Sequence, residues 1–334
     1  MDIPFDLLNI VSSYLVIHKM KLLDWIDIKM LEWETLSLNP NVPYDMLKQN
    51  VKKISSINIC KNPSHAAMRI IVENMNLIDW YNLSQNPNTC IINTVLEPNL
   101  IKVKIRGLSC NSNDDAIKIL ERNIRKTNDS EKRDRIMKYI DWYYLSANPS
   151  DIAIDILEQN TDMIDWNGLS NNPNKRAIQI LEANYEKINW SYLSGNPSAT
   201  HLLESVLQHD SSKINLHYLS LNPNFSVIYN LLEKNMNNPL ASINWLSLSC
   251  NPNANVINTF IEPNLDKLDL QYQEKGFRYW IHLSGNPNAI HILEAHRHKI
   301  YWYYLSQNPS IFEIDRNQYK IDIINKANIL DNLL

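Results

Sequence analysis

One short phrase recurs along almost the whole chain, and it decides what the chain can become. Its cleanest copy is Ile164 to Asn184, IDWNGLSNNPNKRAIQILEAN. The Leu of its Leu-Ser pair falls at Leu36, Leu83, Leu108, Leu145, Leu169, Leu193, Leu219, Leu248, Leu283 and Leu305, and Ile59 fills the slot in one degenerate copy. The eleven copies are spaced 23, 24, 25, 37, 24, 24, 26, 29, 35 and 22 residues apart. A base period of about 24 residues with occasional insertions marks a stacked array, in which no unit buries its faces alone.

Each copy spells out two helices. Asp79, Asp141, Asp165, Asn189 and Asn244 precede a Trp and are suited to cap a helix, because their side-chain oxygen accepts from amides of the first turn. Trp stands three residues before the Leu in eight copies, which puts both on one helical face and predicts a buried Trp row. Asn-Pro then stops this helix, since proline lacks an amide and forces the preceding residue to be extended. The copy at Leu108 has Ser112 in place of proline. Asn88, Ser150, Asn174, Ser198, Asn224, Asn253, Asn288 and Ser310 follow as the next candidate caps. The second helix carries apolar residues such as Ala177, Ile178 and Leu181 and closes near Asn184, a residue that tolerates left-handed backbone. Insertions fall between the second helix and the next Ile-Asp-Trp, so they emerge from one edge of the stack. LSQNPNTCIINTVLEPNL from Leu83 and LSCNPNANVINTFIEPNL from Leu248 match each other more closely than most neighbours do, which suggests duplication within the array.

Composition narrows the function classes. A net charge of −4 argues against general affinity for nucleic-acid backbone. Cys60, Cys90, Cys110 and Cys250 form no CxxC, three of them replace small residues of the repeat, and a reducing compartment is expected. No apolar run reaches 18 residues, and acidic Asp2 and Asp6 are unlike a signal peptide, so neither membrane nor secretion is expected. His291, Glu294, His296 and His298 match no zinc spacing. The cations Arg122, Arg125, Lys126, Lys132, Arg133 and Arg135 alternate with acids and read as a solvated loop. With five glycines and no phosphate-loop, hydrolase or dinucleotide fingerprint, no catalytic, cofactor-binding or metal-ligating residue is assigned. The Asn row reads as structural: a loop Asn can bond to the backbone of its own or an adjacent loop.

Two resemblances follow from these residues. Ile-Asp-Trp, Leu-Ser-x-Asn-Pro-Asn and Ile-Leu-Glu-x-Asn together resemble the short repeat proteins of giant DNA viruses of amoebae, the marseillevirus group in particular, over residues 33 to 309. That resemblance implies an α-helical repeat in the host cytoplasm or the virion. Ile3-Pro4, Leu7-Leu8, Ile10-Val11 and Tyr14-Leu15 resemble the opening of an F-box, whose later Val-Cys-Lys-x-Trp stretch has no counterpart here. An F-box implies docking on the adaptor of a host cullin ubiquitin ligase through Pro4, Leu7, Leu8, Val11 and Leu15. The competing reading is a capping helix pair, the second helix starting at Met20.

The expected fold is therefore an all-α solenoid of about eleven short helix pairs. Residues 1–32 form an N-terminal cap or F-box-like unit, 33–309 the array, and 310–334 C-terminal cap helices. The expected function is a non-catalytic protein–protein interaction scaffold without cofactor. An F-box-like substrate receptor and a structural virion component are the alternatives.

Overall fold

The computed structural model describes residues 19–125, 130–229, 244–272 and 278–316. The fold is all-α, with a single two-stranded sheet among the described residues. Each copy begins with a short first helix: Trp33–Leu36, Ser56–Lys61, Trp80–Ser84, Ile105–Ser109, Trp142–Ser146, Trp166–Asn171, Trp190–Ser194, Leu216–Leu221, Trp245–Ser249, Tyr279–Gly285 and Trp302–Gln307. The repeats are numbered one to eleven in that order. The expected caps work as the sequence implies: Asp79, Asp141, Asp165, Asn189 and Asn244 accept from backbone amides two or three residues on. Longer second helices such as His65–Glu73, Asp151–Glu158 and Lys175–Ala183 pack their apolar sides against the Leu row.

The asparagine before proline ties each repeat to the one before it. Asn172 is the type example. Its Nδ2 donates to the carbonyls of Ser146 and Asn148 at 2.7 Å each, and its Oδ1 accepts from the amide of Asn174 at 2.9 Å. One side chain thus satisfies three groups that burial would otherwise strand. The same triplet recurs at Asn62, Asn86, Asn111, Asn148, Asn196, Asn222, Asn251, Asn286 and Asn308. A second row runs beside it. Ser170 Oγ donates to Trp166 O within its own helix and accepts from the amide of Asn189, the cap of the next repeat. In repeat two Cys60 takes the Ser place, and its Sγ accepts from Asp79 N at 3.3 Å.

These rows close on themselves. Asn39 in repeat one donates to the carbonyls of Ser306 and Asn308 in repeat eleven, at 3.1 and 2.8 Å. Glu32 N donates to Ser306 Oγ, and Asn41 Nδ2 to Pro309 O. Thr35 Oγ1 donates to Tyr303 O at 2.8 Å. Next to this joint, β1 (Met20–Leu22) pairs antiparallel with β2 (Phe312–Ile314), in the register Met20 with Ile314, Lys21 with Glu313 and Leu22 with Phe312. The array is a closed ring, and repeat eleven is composite. The 3-10 turn Ile28–Met30 and Leu31 occupy the register that Thr161–Met163 and Ile164 occupy before repeat six, so the N-terminal segment completes the last repeat.

Ring closure corrects two expectations. An open stack needs caps over its end faces, whereas here the end faces cover each other. The remainder of the expected caps, 1–18 and 317–334, lies outside the described residues, as do the candidate docking residues Pro4, Leu7, Leu8, Val11 and Leu15. The helix expected from Met20 is strand β1, because the backbone there finds partners on β2 and tertiary pairing overrides local spacing.

Three finer expectations also change. The helix-ending Asn184 has φ −131°, not left-handed backbone; its Nδ2 donates to the Ile180 carbonyl four residues back, as Asn50, Asn74 and Asn160 do to theirs. Ser198 and Asn288 do not cap α-helices; they donate instead to Pro173 O and Pro252 O of the preceding repeats. The Trp row is at the core's edge. Trp245 and Trp280 are buried, while Trp33, Trp80, Trp166 and Trp190 are half-buried beneath Lys53, Lys102, Lys187 and Lys213. The duplication inferred from sequence has a structural counterpart: Ile92–Leu96 and Ile257–Ile261 are both π-helical turns, each followed by a 3-10 turn with Pro98 or Pro263. Proline removes a helical donor, and the turn before it widens.

Backbones approach closely between first helices. A Cβ on Gly168 would lie 2.3 Å from Tyr143 O and 3.1 Å from Ser146 Cβ, whereas one on Gly285 would meet nothing nearer than the flexible Gln307 side chain at 3.7 Å. Gly168→Ala therefore forces two repeats apart and should cost about 2 kcal/mol, overpacking outweighing the helical preference for alanine. Gly285→Ala should be neutral or stabilising by about 0.5 kcal/mol. Chemical denaturation of the two variants side by side checks the contrast.

Candidate partner-binding site: the inner wall

In a ring, the more tightly spaced of two concentric rows is the inner one. Repeat-to-repeat bonds of the first helices run straight onto backbone carbonyls. The second helices reach one another through long side chains: Arg122 to Glu97 at 2.7 Å, Arg176 to Asp155 and Glu158 at 2.8 Å, His201 to Glu182 at 2.5 Å and Tyr44 to Glu73 at 2.8 Å. The first helices are thus the inner wall and the second helices the rim. Eleven inner helices with axes about 8 Å apart close a circle about 28 Å across. Removing a helix diameter of about 10–12 Å leaves an opening of about 16–18 Å.

Helical geometry decides what lines that opening. Leu at the fourth position of each first helix points into the core, so the position directly after the Trp slot points away from it; the next position is buried at Thr35, Asn82, Gly107, Gly168 and Ser247 and emerges at Tyr144 and Tyr304. Their occupants include Tyr81, Tyr143, Tyr144, Tyr192, Tyr218, Tyr303 and Tyr304. Tyr81, Tyr144, Tyr303 and Tyr304 are exposed, and the other three are half-buried. Tyr143 and Tyr192 sit with ring centroids 6.3 Å apart across repeat six, where Asn167 and Gly168 leave room between them. Tyr192 and Tyr218 continue the arc at 5.2 Å, and His217 packs edge-on to Tyr218 at 5.2 Å. Ile57, Leu246 and Ile281 extend the apolar character to other repeats.

The wall is also nearly uncharged. Of the eleven residues directly after the Trp slot, Glu34 and Arg106 carry charge, and Arg106 Nε is bound to Asp141 Oδ2 at 3.0 Å. Burial holds the Tyr143 and Tyr218 phenols above their ordinary range, with Tyr192 adding to the effect, so both stay protonated. Burial lowers the His282 imidazole, so it is neutral at pH 7.

The hydroxyl, thiol and imidazole groups are engaged elsewhere. Ser247 Oγ lies 2.6 Å from His217 Nδ1, but Ser247 is 3 % exposed, so its hydroxyl is closed to a substrate. Burial pushes the Cys60 and Cys110 thiols up to about 11, far from a reactive thiolate at neutral pH. His291 faces Glu262 at 3.4 Å, while His296 Nδ1 bonds Ile292 O and its ring stacks near Trp280 at 5.3 Å. That histidine-rich stretch is spread over different neighbours, and no group of metal-binding residues forms among the described residues. Arg122, Arg125 and Arg135 each meet a glutamate. No helix among the described residues is long and apolar enough to cross a membrane.

One polar cluster fixes an insertion to the ring. Asp269, on the helix Leu265–Tyr272, accepts from Tyr279 Oη and from Trp280 Nε1 (2.9 Å) and pairs with Lys299. Burial raises the Asp269 carboxyl, but bonds from Lys299, Trp280 and Tyr279 outweigh it and hold the group below its ordinary value of 3.8. A depressed carboxyl contributes stability above its unfolded pKa and loses it as pH falls through the folded one. Asp269→Asn should thus cost about 2 kcal/mol at pH 7, the lower end for a paired charge because water still reaches it. Wild type and variant should converge as denaturation is followed down through pH 4 and below.

No family model, no curated protein and no solved structure matches this chain. The sequence pointed to the repeat but not to the wall, because a row of non-repeated positions has no motif. The available signal was the excess of Tyr at the two positions after Trp.

Proposed function

We propose that this chain is a non-catalytic protein–protein interaction scaffold whose contact surface is the inner wall. The carrying observation is a nearly neutral row of tyrosines on a closed ring: Tyr143, Tyr192 and Tyr218 in ring contact and half-buried, with Tyr81, Tyr144, Tyr303 and Tyr304 exposed. Tyrosine presents a large amphipathic surface with few rotatable bonds, which suits it to protein interfaces. Low charge favours protein over nucleic acid as partner. The repeated residues build the frame, and the variable wall residues distinguish one partner from another.

The test is affinity capture with the full chain and with a Tyr144→Ser/Tyr303→Ser variant, both exposed residues whose loss leaves the ladders intact. A partner held by wild type and lost at least tenfold by the variant supports the reading, since each buried tyrosine at an interface is worth about 1–2 kcal/mol. Equal capture by both overturns it. Capture of a cullin adaptor that disappears on deleting residues 1–18 would favour the F-box-like receptor instead.

A further inference from the structure

The wall belongs to a closed ring, and that limits how a partner can reach it. A surface on the outside accepts a partner from any direction; one inside an opening of about 16–18 Å accepts only what fits. A folded domain of about 100 residues, with a radius of gyration of about 13 Å, does not enter. A single α-helix, about 10–12 Å across with its side chains, does, and it leaves about 2–4 Å on each side for tyrosine hydroxyls, water or larger partner residues. Tyr81, Tyr144, Tyr192 and Tyr303 stand on separate repeats around the opening, so an object on the ring axis can be approached from several sides at once. The wall offers such an object phenol edges, hydroxyls and aliphatic groups but little charge.

We propose that the ring encircles a single, largely uncharged α-helical segment of a partner protein, threaded along the ring axis. This rests on the interaction-scaffold reading above. It carries a topological consequence. The backbone is continuous from each repeat to the next except between repeats eleven and one, so the ring can open without chain cleavage only at that seam. A helix with a free end can enter the closed ring, whereas a helix held between two folded domains enters only when the seam parts.

The seam supplies its own lock. Lys21 and Glu313 are direct partners across β1 and β2 and form a 3.0 Å ion pair on one face of the strand pair. Cα atoms of directly opposed antiparallel residues lie about 4.5–5.5 Å apart, within the range a disulfide spans. K21C/E313C, made with Cys90, Cys110 and Cys250 replaced by serine, should therefore lock the ring on oxidation, and the locked chain should run faster on a non-reducing denaturing gel.

A phage-displayed library of 20-residue helix-forming segments is panned on the full chain. The best binder is then placed between two folded domains. The expected result has three parts: the free segment binds locked and unlocked rings alike; the two-domain form binds the reduced ring and is excluded at least tenfold from the oxidised one; and Tyr144→Ser/Tyr303→Ser weakens both at least tenfold. If the two-domain form binds the locked ring as well as the reduced one, threading is overturned while the scaffold reading stands, provided the tyrosines still matter. If the tyrosine variant binds every enriched segment as wild type does, or no segment enriches, the wall reading fails and threading with it.

Discussion

Asn172→Ala should cost this protein about 4 kcal/mol, more than any single substitution on its tyrosine wall. The side chain is fully buried and makes three hydrogen bonds, two to carbonyls of repeat five and one from Asn174 N. Alanine keeps the fold's shape but leaves Ser146 O, Asn148 O and Asn174 N without that partner. Each buried group so stranded costs about 1–3 kcal/mol, and water entering the small gap offsets part of it. Asn172→Asp is nearly isosteric and should be at least as damaging at pH 7, because a carboxylate oxygen then faces two carbonyl oxygens. The neighbouring proline provides the control. Repeat four has Ser112 in its place, yet Asn111 still reaches Ser84 O and Asn86 O at 2.9 Å each. Pro173→Ala should thus cost no more than about 1 kcal/mol, through the freedom it returns to the unfolded chain. Equilibrium denaturation of the three variants decides the matter. A Pro173 effect equal to that of Asn172→Ala would mean that the stop signal, not the ladder, stabilises the repeat.

Most of the frame was legible in the sequence because the repeat states its own rules. A cap before Trp, a Leu three residues later and a proline stop are local instructions, and Asp165, Leu169 and Pro173 carry them out within one repeat. Closure was not legible, because nothing local distinguishes an array of eleven that ends from one that returns to its start. The curvature that brings Asn39 to Asn308 is a sum of small rotations set by residues such as Gly107 and Gly168, where one absent Cβ sets the approach of two helices. The strand at Met20–Leu22 is hidden from local spacing for the same reason: its partner lies at the far end of the chain. The depth of the Trp row is not visible in its register, which specifies a face but not depth: lysine stems cover the rings and leave them half-buried. The wall was the least visible. Its residues follow no strict repeat, and a motif search passes over such positions.

Asn39→Ala should destabilise the protein as much as Asn172→Ala does. In an open array Asn39 belongs to the first repeat and has no preceding repeat to bond, so its loss would cost only the turn bond to Asn41 N, about 1 kcal/mol. In the ring, its Nδ2 donates to Ser306 O and Asn308 O, and it is as buried as any other member of the row. The expected cost is again about 4 kcal/mol. Shortening the chain tests the same joint from its other side. Ending it after Ile311 removes β2, the covering Phe312 and the partners of Met20 and Leu22, and strands the end of the composite repeat. Hydrogen exchange should then quicken first at repeats one and eleven together, although they stand at opposite ends of the sequence, while repeats five to seven keep their protection. An open solenoid shortened at its C-terminus would lose protection at that end alone. Joint loss at both ends is therefore the signature of a ring, and a loss confined to the C-terminal end would break the closure on which the enclosed wall depends.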